Sequence, residues 1–177
     1  MAFLVRKLSK SDNMEKMGTA INPAEMIADA PTAEFKTSNN GTLSTWIVDS
    51  LDKVDEGVLA IAVTSTAVSR MDFVVIDTDI LDHHNLKYAQ TYAGQEIAVS
   101  DLQDTHYDIV DITMKSIIDC INVYKDIYIK DNGEGKWYFR YSEGEIKKVI
   151  KSAIEANRVD LKKLNSKIKK DIGIAGG

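Results

Sequence analysis

The chain has 177 residues, about one domain, with 27 acidic and 22 basic side chains and a formal net charge of −5. Its 44% hydrophobic and 28% charged residues, with two prolines and ten glycines, exclude disordered, collagen-like and low-complexity chains. The single cysteine, Cys120, excludes an intramolecular disulfide framework and suits a reducing compartment.

The apolar run at the start is too short for a secretory leader. No stretch approaches the roughly 18 apolar residues of a membrane span. The expectation is a cytoplasmic protein without a membrane partner.

In chain order, residues 3–8 alternate and read as a first strand. Residues 10–18 are polar and read as loop. Asn22 is a cap and Pro23 a first helical residue, and Pro31 is expected to stop that helix near Asp29. Residues 33–38 and 42–48 read as a β-hairpin about Asn39-Asn40-Gly41, a type I′ turn that sets Phe35 opposite Trp46.

Residues 51–63 read as helix, because Leu51, Val54, Val58 and Ala62 share one face, although 58–63 alone also suits a buried strand. Residues 71–77 read as a buried strand, followed by a short helix through Asp82. Residues 85–105 read as loop with a strand near 96–99. Asp111 is expected to cap a helix with a Met114, Ile117, Ile118, Ile121 stripe.

A second hairpin is expected from 127–130 and 136–140 around Asp131-Asn132-Gly133-Glu134-Gly135. Ser142 and Glu145 form a capping box for a helix with Ile146, Val149, Ile150, Ala153 and Ile154 on one face. Asn157 interrupts it, and Asp160 is expected to cap a last helix with Leu161, Leu164 and Ile168 in line. The expected fold class is α+β: a single mixed domain with two β-hairpins and a C-terminal pair of amphipathic helices.

Charge divides the chain. Residues 141–177 hold nine basic and five acidic side chains, net +4, which leaves −9 on residues 1–140. The expected organisation is an acidic body, 1–140, and a basic helical extension, 141–177. Such a tail either folds onto the body or meets an acidic partner.

Several constellations bear on chemistry. Asp77, Asp79, His83 and His106 gather acids and imidazoles suited to a divalent metal, although no spacing-defined metal motif is present and a solvated loop explains the same residues. Glu34 and Lys36 form a Glu-x-Lys triplet of the kind a metal-dependent nuclease uses, and a solvent-facing charge pair explains it more simply. Cys120, beside an apolar stripe, reads as core.

No nucleophile elbow, phosphate-cradling loop or dinucleotide fingerprint occurs, so no catalytic residue is assigned and no cofactor is expected beyond that divalent metal. Lys147, Lys151, Lys162, Lys163, Lys167 and Lys170 can contact phosphates, and Trp137, Tyr138, Phe139 and Tyr141 can stack on bases. The net acidity opposes nucleic-acid binding, and lysines on amphipathic helices are ordinarily their solvated face.

Residues 27–46, including Lys36-Thr37-Ser38-Asn39-Asn40-Gly41-Thr42-Leu43, together with Arg70-Met71-Asp72-Phe73-Val74-Val75-Ile76-Asp77 and the Phe3-Leu4-Val5-Arg6-Lys7 start, resemble a group of small bacterial proteins encoded beside ATPase and nuclease genes in anti-phage defence clusters. The resemblance covers about half the chain and carries over no catalytic residue. It implies a companion subunit in a multi-protein complex.

The expectation is therefore a non-catalytic binding or adaptor subunit. It would engage a larger protein, such as an ATPase or nuclease, through Asn39, Asn40, Lys147, Lys151, Lys162, Lys163, Lys167 and Lys170. Two alternatives are a metal-dependent hydrolase or nuclease at the Asp/His cluster, and a nucleic-acid sensor acting through the lysine-rich helices.

Overall fold

The computed structural model describes residues 2–10, 12–26, 29–36, 41–94 and 96–174. Six antiparallel strands form one sheet: β1 (Phe3–Lys7), β2 (Leu43–Val48), β3 (Met71–Asp77), β4 (Lys87–Gln90), β5 (His106–Val110) and β6 (Tyr138–Tyr141), in the order β4-β5-β2-β1-β3-β6. Seven helices accompany it among the described residues: α1 (Asn13–Gly18), α2 (Asp29–Glu34), α3 (Val54–Thr64), α4 (Thr78–His83), α5 (Met114–Asp131), α6 (Glu143–Glu155) and α7 (Ser166–Asp171). The fold is a mixed α+β single domain.

Strand side chains alternate between the two faces, and both faces are covered. Phe3, Val5, Trp46, Phe73 and Val75 pack under α3, α6 and α7. Leu4, Leu43, Val74, Ile76 and Ile109 pack under α1 and α5, with Phe35 and Leu81. β3, between β1 and the edge strand β6, is buried at all seven positions, which is why its sequence holds the unbroken apolar run Phe73-Val74-Val75-Ile76 and does not alternate.

The same burial settles residues 51–63. Val58 through Val63 are all buried between sheet and α6, and a helix enclosed on all sides needs no polar face. Gly57 sits where α3 crosses β1: a Cβ there would lie 2.7 Å from Val5 Cβ.

Neither expected hairpin forms. Residues 29–34 are helix α2, and β2 pairs with β1 and β5 instead. Pro31 does not stop a helix but stands third in one, within the first turn, where no N–H partner is required. Asn39 and Asn40 lie outside the described residues.

The second hairpin fails because 127–130 continue α5, with Ile127 fully buried on the same face as Tyr124 and Cys120. The polar turn that follows is real but joins helix to strand. Buried Asp131 accepts from the backbone N–H groups of Gly135, Lys136 and Trp137 at 2.7–3.0 Å, and Asn132 takes the left-handed cap conformation, φ 45°.

Other boundaries shift for local reasons. Residues 13–18 are helical, since Met14 and Met17 bury against α5. Residues 96–99 form no strand; Ile97, Ala98 and Val99 enter the core as irregular chain, and β4 forms earlier.

Asp111, at φ 58°, caps nothing; Thr113 and Ser116 make the capping box of α5. Asp160 bonds Lys162 N, while Asn165 caps α7. The Ser142–Glu145 box at the start of α6 forms as expected.

Candidate functional site

The C-terminal helices are part of the domain core. Ile146, Ile150 and Ile168 are fully buried, together with Leu164 and Ile172, against β1, β3 and α3. Of the two possibilities for the basic segment, folding onto the acidic body is the one adopted. Arg158 binds Glu56 and Asp101, Lys163 Nζ pairs with Glu96 at 2.6 Å, and Asp171 accepts from Val68 N.

This anchoring sorts the candidate lysines. Lys147 is engaged by Glu143 one turn earlier, and Lys163 by Glu96. Lys151, Lys162, Lys167 and Lys170 are exposed, and among the described residues they make no ion pair. Lys151 on α6, Lys167 and Lys170 on α7 and Lys162 in the turn between them face solvent, while the opposite faces of both helices are locked in the core.

A cleft of about 420 Å³ lies beside this surface between α3 and α6, lined by Asp55, Glu56, Tyr141, Glu145, Lys148 and Arg158 over an apolar floor that includes Leu59 and Val149. The Tyr141 hydroxyl donates to Asp55. Burial, and then that carboxylate, push its ionisation above the usual tyrosine range. Glu145 is held below the usual carboxylate range by the Ser142 hydroxyl and N–H. Within the cleft Glu56 is thus committed to Arg158, Asp55 to Tyr141 and Glu145 to Ser142.

The metal set does not converge. Asp77 is buried at the N-terminus of α4, accepting from Asp79 N and from Lys130 Nζ at 2.8 Å, and Lys130 in turn lies 3.7 Å from the Trp137 ring centre. Asp79 and His83 are exposed on α4. His106 is on β5, three strand spacings from β3, about 14 Å across the sheet. Among the described residues, no group of three His, Cys, Asp or Glu side chains is placed to hold a metal ion.

Two polar clusters emerge only in three dimensions. Ser44 Oγ lies 2.6 Å from His106 Nε2, and Thr91 Oγ1 lies 2.9 Å from Nδ1, with the buried ring edge-on to Trp46. A hydroxyl on an imidazole is the beginning of a nucleophile and base. Ser44, however, lies in a strand, paired with Asp108 of β5, where successive N–H groups point to opposite strand edges and do not converge as an oxyanion hole. The cluster acts as a tie between β2, β5 and the end of β4.

The second cluster centres on Glu34, which is buried and not the solvent-facing member of a charge pair with Lys36. One carboxylate oxygen accepts from Ser9 N, Ser9 Oγ and Asn13 Nδ2. The other accepts from the Tyr124 hydroxyl and lies 3.5 Å from Arg6 Nε. Burial and the Glu34 charge push Tyr124 well above its ordinary range. Close by, burial pushes the Cys120 thiol up to about 12, so Cys120 is core and not a thiolate nucleophile. Nothing in the local pattern around Glu34 announces this role, because its partners lie far off in the chain, at Arg6, Ser9 and Asn13 on one side and Tyr124 on the other.

No helix among the described residues is long and apolar enough to cross a membrane. Set beside protein families, curated proteins and solved structures, the chain matches none.

Proposed function

We propose that this protein is a non-catalytic binding subunit that docks on a larger protein through the solvent side of α6 and α7. The observation that carries the reading is the pairing of fully buried anchors, Ile146, Ile150 and Ile168, with the exposed Lys151, Lys167 and Lys170 on the same two helices and Lys162 in the turn between them, none of the four in an ion pair among the described residues. A basic surface preorganised on a rigid core loses little conformational entropy on binding, and on a protein of net charge −5 it selects an acidic patch. A partner of the ATPase or nuclease class in a bacterial defence complex is the assignment that the sequence resemblance adds.

The test is co-purification of the tagged protein with the products of its neighbouring genes, at two salt concentrations. A variant carrying Lys151→Glu, Lys162→Glu, Lys167→Glu and Lys170→Glu serves as the comparison. Salt-sensitive capture of one neighbour, lost in the variant while its circular dichroism melt is unchanged, is the expected result. Capture that survives the charge reversal overturns the reading, and a salt-dependent gel shift with DNA or RNA, lost in the same variant, replaces it with the nucleic-acid one.

A further inference from the structure

A cleft of about 590 Å³ opens where α1, the end of α5 and the edge strand β6 meet. Small-molecule sites commonly span roughly 300–1,000 Å³. The Tyr128 and Tyr138 rings and Ile129 line it, with Glu15 on the α1 side. Local structure holds the rings there. Gly18 lies so close to Tyr128 that a Cβ on it would be 2.2 Å from the tyrosine Cγ, and Tyr138 stands in register with Val74.

Unlike the cleft between α3 and α6, this one keeps its polar groups uncommitted. Among the described residues neither phenol hydroxyl is hydrogen-bonded, the Glu15 carboxylate makes no ion pair, and the two rings make no contact with each other. The second acid of the cleft, Asp131, already accepts from the N–H groups of Gly135, Lys136 and Trp137 and adds only its negative charge.

That inventory selects a ligand. Aromatic faces and a carboxylate attract a cation. Among the described residues no lysine or arginine lines the cleft, so a phosphate-bearing ligand finds no counter-charge. A bare metal ion needs several ligand side chains together, and no such group occurs among the described residues. Burial, and then the Asp72 and Glu15 carboxylates, push Tyr138 above the usual tyrosine range, so its ring stays neutral. The apolar Ile129 wall suits methyl groups, whereas a primary ammonium is strongly hydrated.

We infer that this cleft is a binding site for an alkylated ammonium group, held against Tyr128 and Tyr138 with Glu15 as its counter-charge. It lies on the face of the sheet opposite α6 and α7, so it does not depend on what the exposed lysines bind.

Isothermal titration of the full chain with choline, and with a short peptide carrying trimethyllysine, tests this and separates a free small cation from a modified side chain. At least one of the two is expected to bind, with a Kd below about 1 mM. Glu15→Gln, at an exposed position, is expected to weaken that binding by about tenfold with an unchanged melt. Tyr138→Ala is expected to abolish it, and Tyr138→Phe to keep it within about twofold, because the ring face and not the hydroxyl makes the contact. The uncharged carbon analogue of choline, with tert-butyl in place of trimethylammonium, and the peptide with unmodified lysine are expected not to bind. Absence of binding by both cations overturns the inference, as does equal binding of the uncharged analogue, or binding indifferent to both Glu15→Gln and Tyr138→Ala.

Discussion

Arg158 holds Glu56 through two parallel hydrogen bonds, Nη1 to Oε1 at 3.0 Å and Nη2 to Oε2 at 2.6 Å, across 102 residues of chain. The same guanidinium reaches Asp101 from Nε and Nη2. One side chain from the basic C-terminal segment therefore fastens α3 and the 3₁₀ segment Ser100–Thr105 to the end of α6. The planar fork suits this arrangement, and lysine's single point charge does not.

Arg158→Lys is therefore expected to lose stability by about 1 kcal/mol, and Arg158→Ala by about 1–2 kcal/mol, the partly exposed setting keeping both below a buried pair. Urea midpoints at low and high salt check this: the gap between wild type and Arg158→Ala should shrink with salt. No gap at low salt would mean that the clamp contributes nothing to stability.

Glu34 is a sharper case, because it is buried and five hydrogen bonds or ion contacts converge on it. Glu34→Ala leaves the Arg6 guanidinium without its counter-charge and is expected to cost about 3–5 kcal/mol. A thermal melt of Glu34→Ala against Glu34→Gln, which keeps the shape and part of the bonding, separates charge from packing. Equal losses would assign the whole effect to packing.

Cys120 sets an alkaline limit. Its thiol ionises near the ordinary 9.0 when the chain is unfolded and at about 12 in the fold. Above pH 9 the unfolded state therefore binds fewer protons than the folded one, and stability falls as pH rises from about 9 to 12. The stabilisation is fully present below pH 9, and Tyr124, shifted in the same direction from 10.0, adds to the loss higher in that window. Urea midpoints at pH 8, 9, 10 and 11 should decline, less steeply in Cys120→Ala. A profile identical in that variant would remove Cys120 from the account.

Much of the local structure could be read in one dimension because it is caused there. Buried strands β1 and β3, the apolar helix α3, and the Ser142–Glu145 box with its Ile146 and Ile150 stripe follow from spacings within a few residues. Errors fell where a local preference met a distant partner. Ile127-Tyr128-Ile129 favours a strand by residue type, yet Ile127 completes the face of α5 that covers the sheet. Residues 13–18 look polar, yet Met14 and Met17, with Asn13 and Gly18, bury one side of α1.

The candidate sites divide in the same way. The excess of lysine in the last 37 residues and the burial of Cys120 were both legible in the chain. The separation of His106 from Asp77 required the strand order, and the Glu34 cluster required β1, α1, α2 and α5 to be brought together.

Sequence by itself determined an acidic α+β domain with a basic amphipathic C-terminus, since composition and short-range periodicity do not depend on who the neighbours are. Tertiary structure alone decided which charges are spent inside the molecule, at Glu34, Arg158 and Lys163, and which are left at its surface, at Lys151, Lys162, Lys167 and Lys170. Ion pairs and burial are set by distances between residues far apart in the chain, and only the folded sheet fixes those distances.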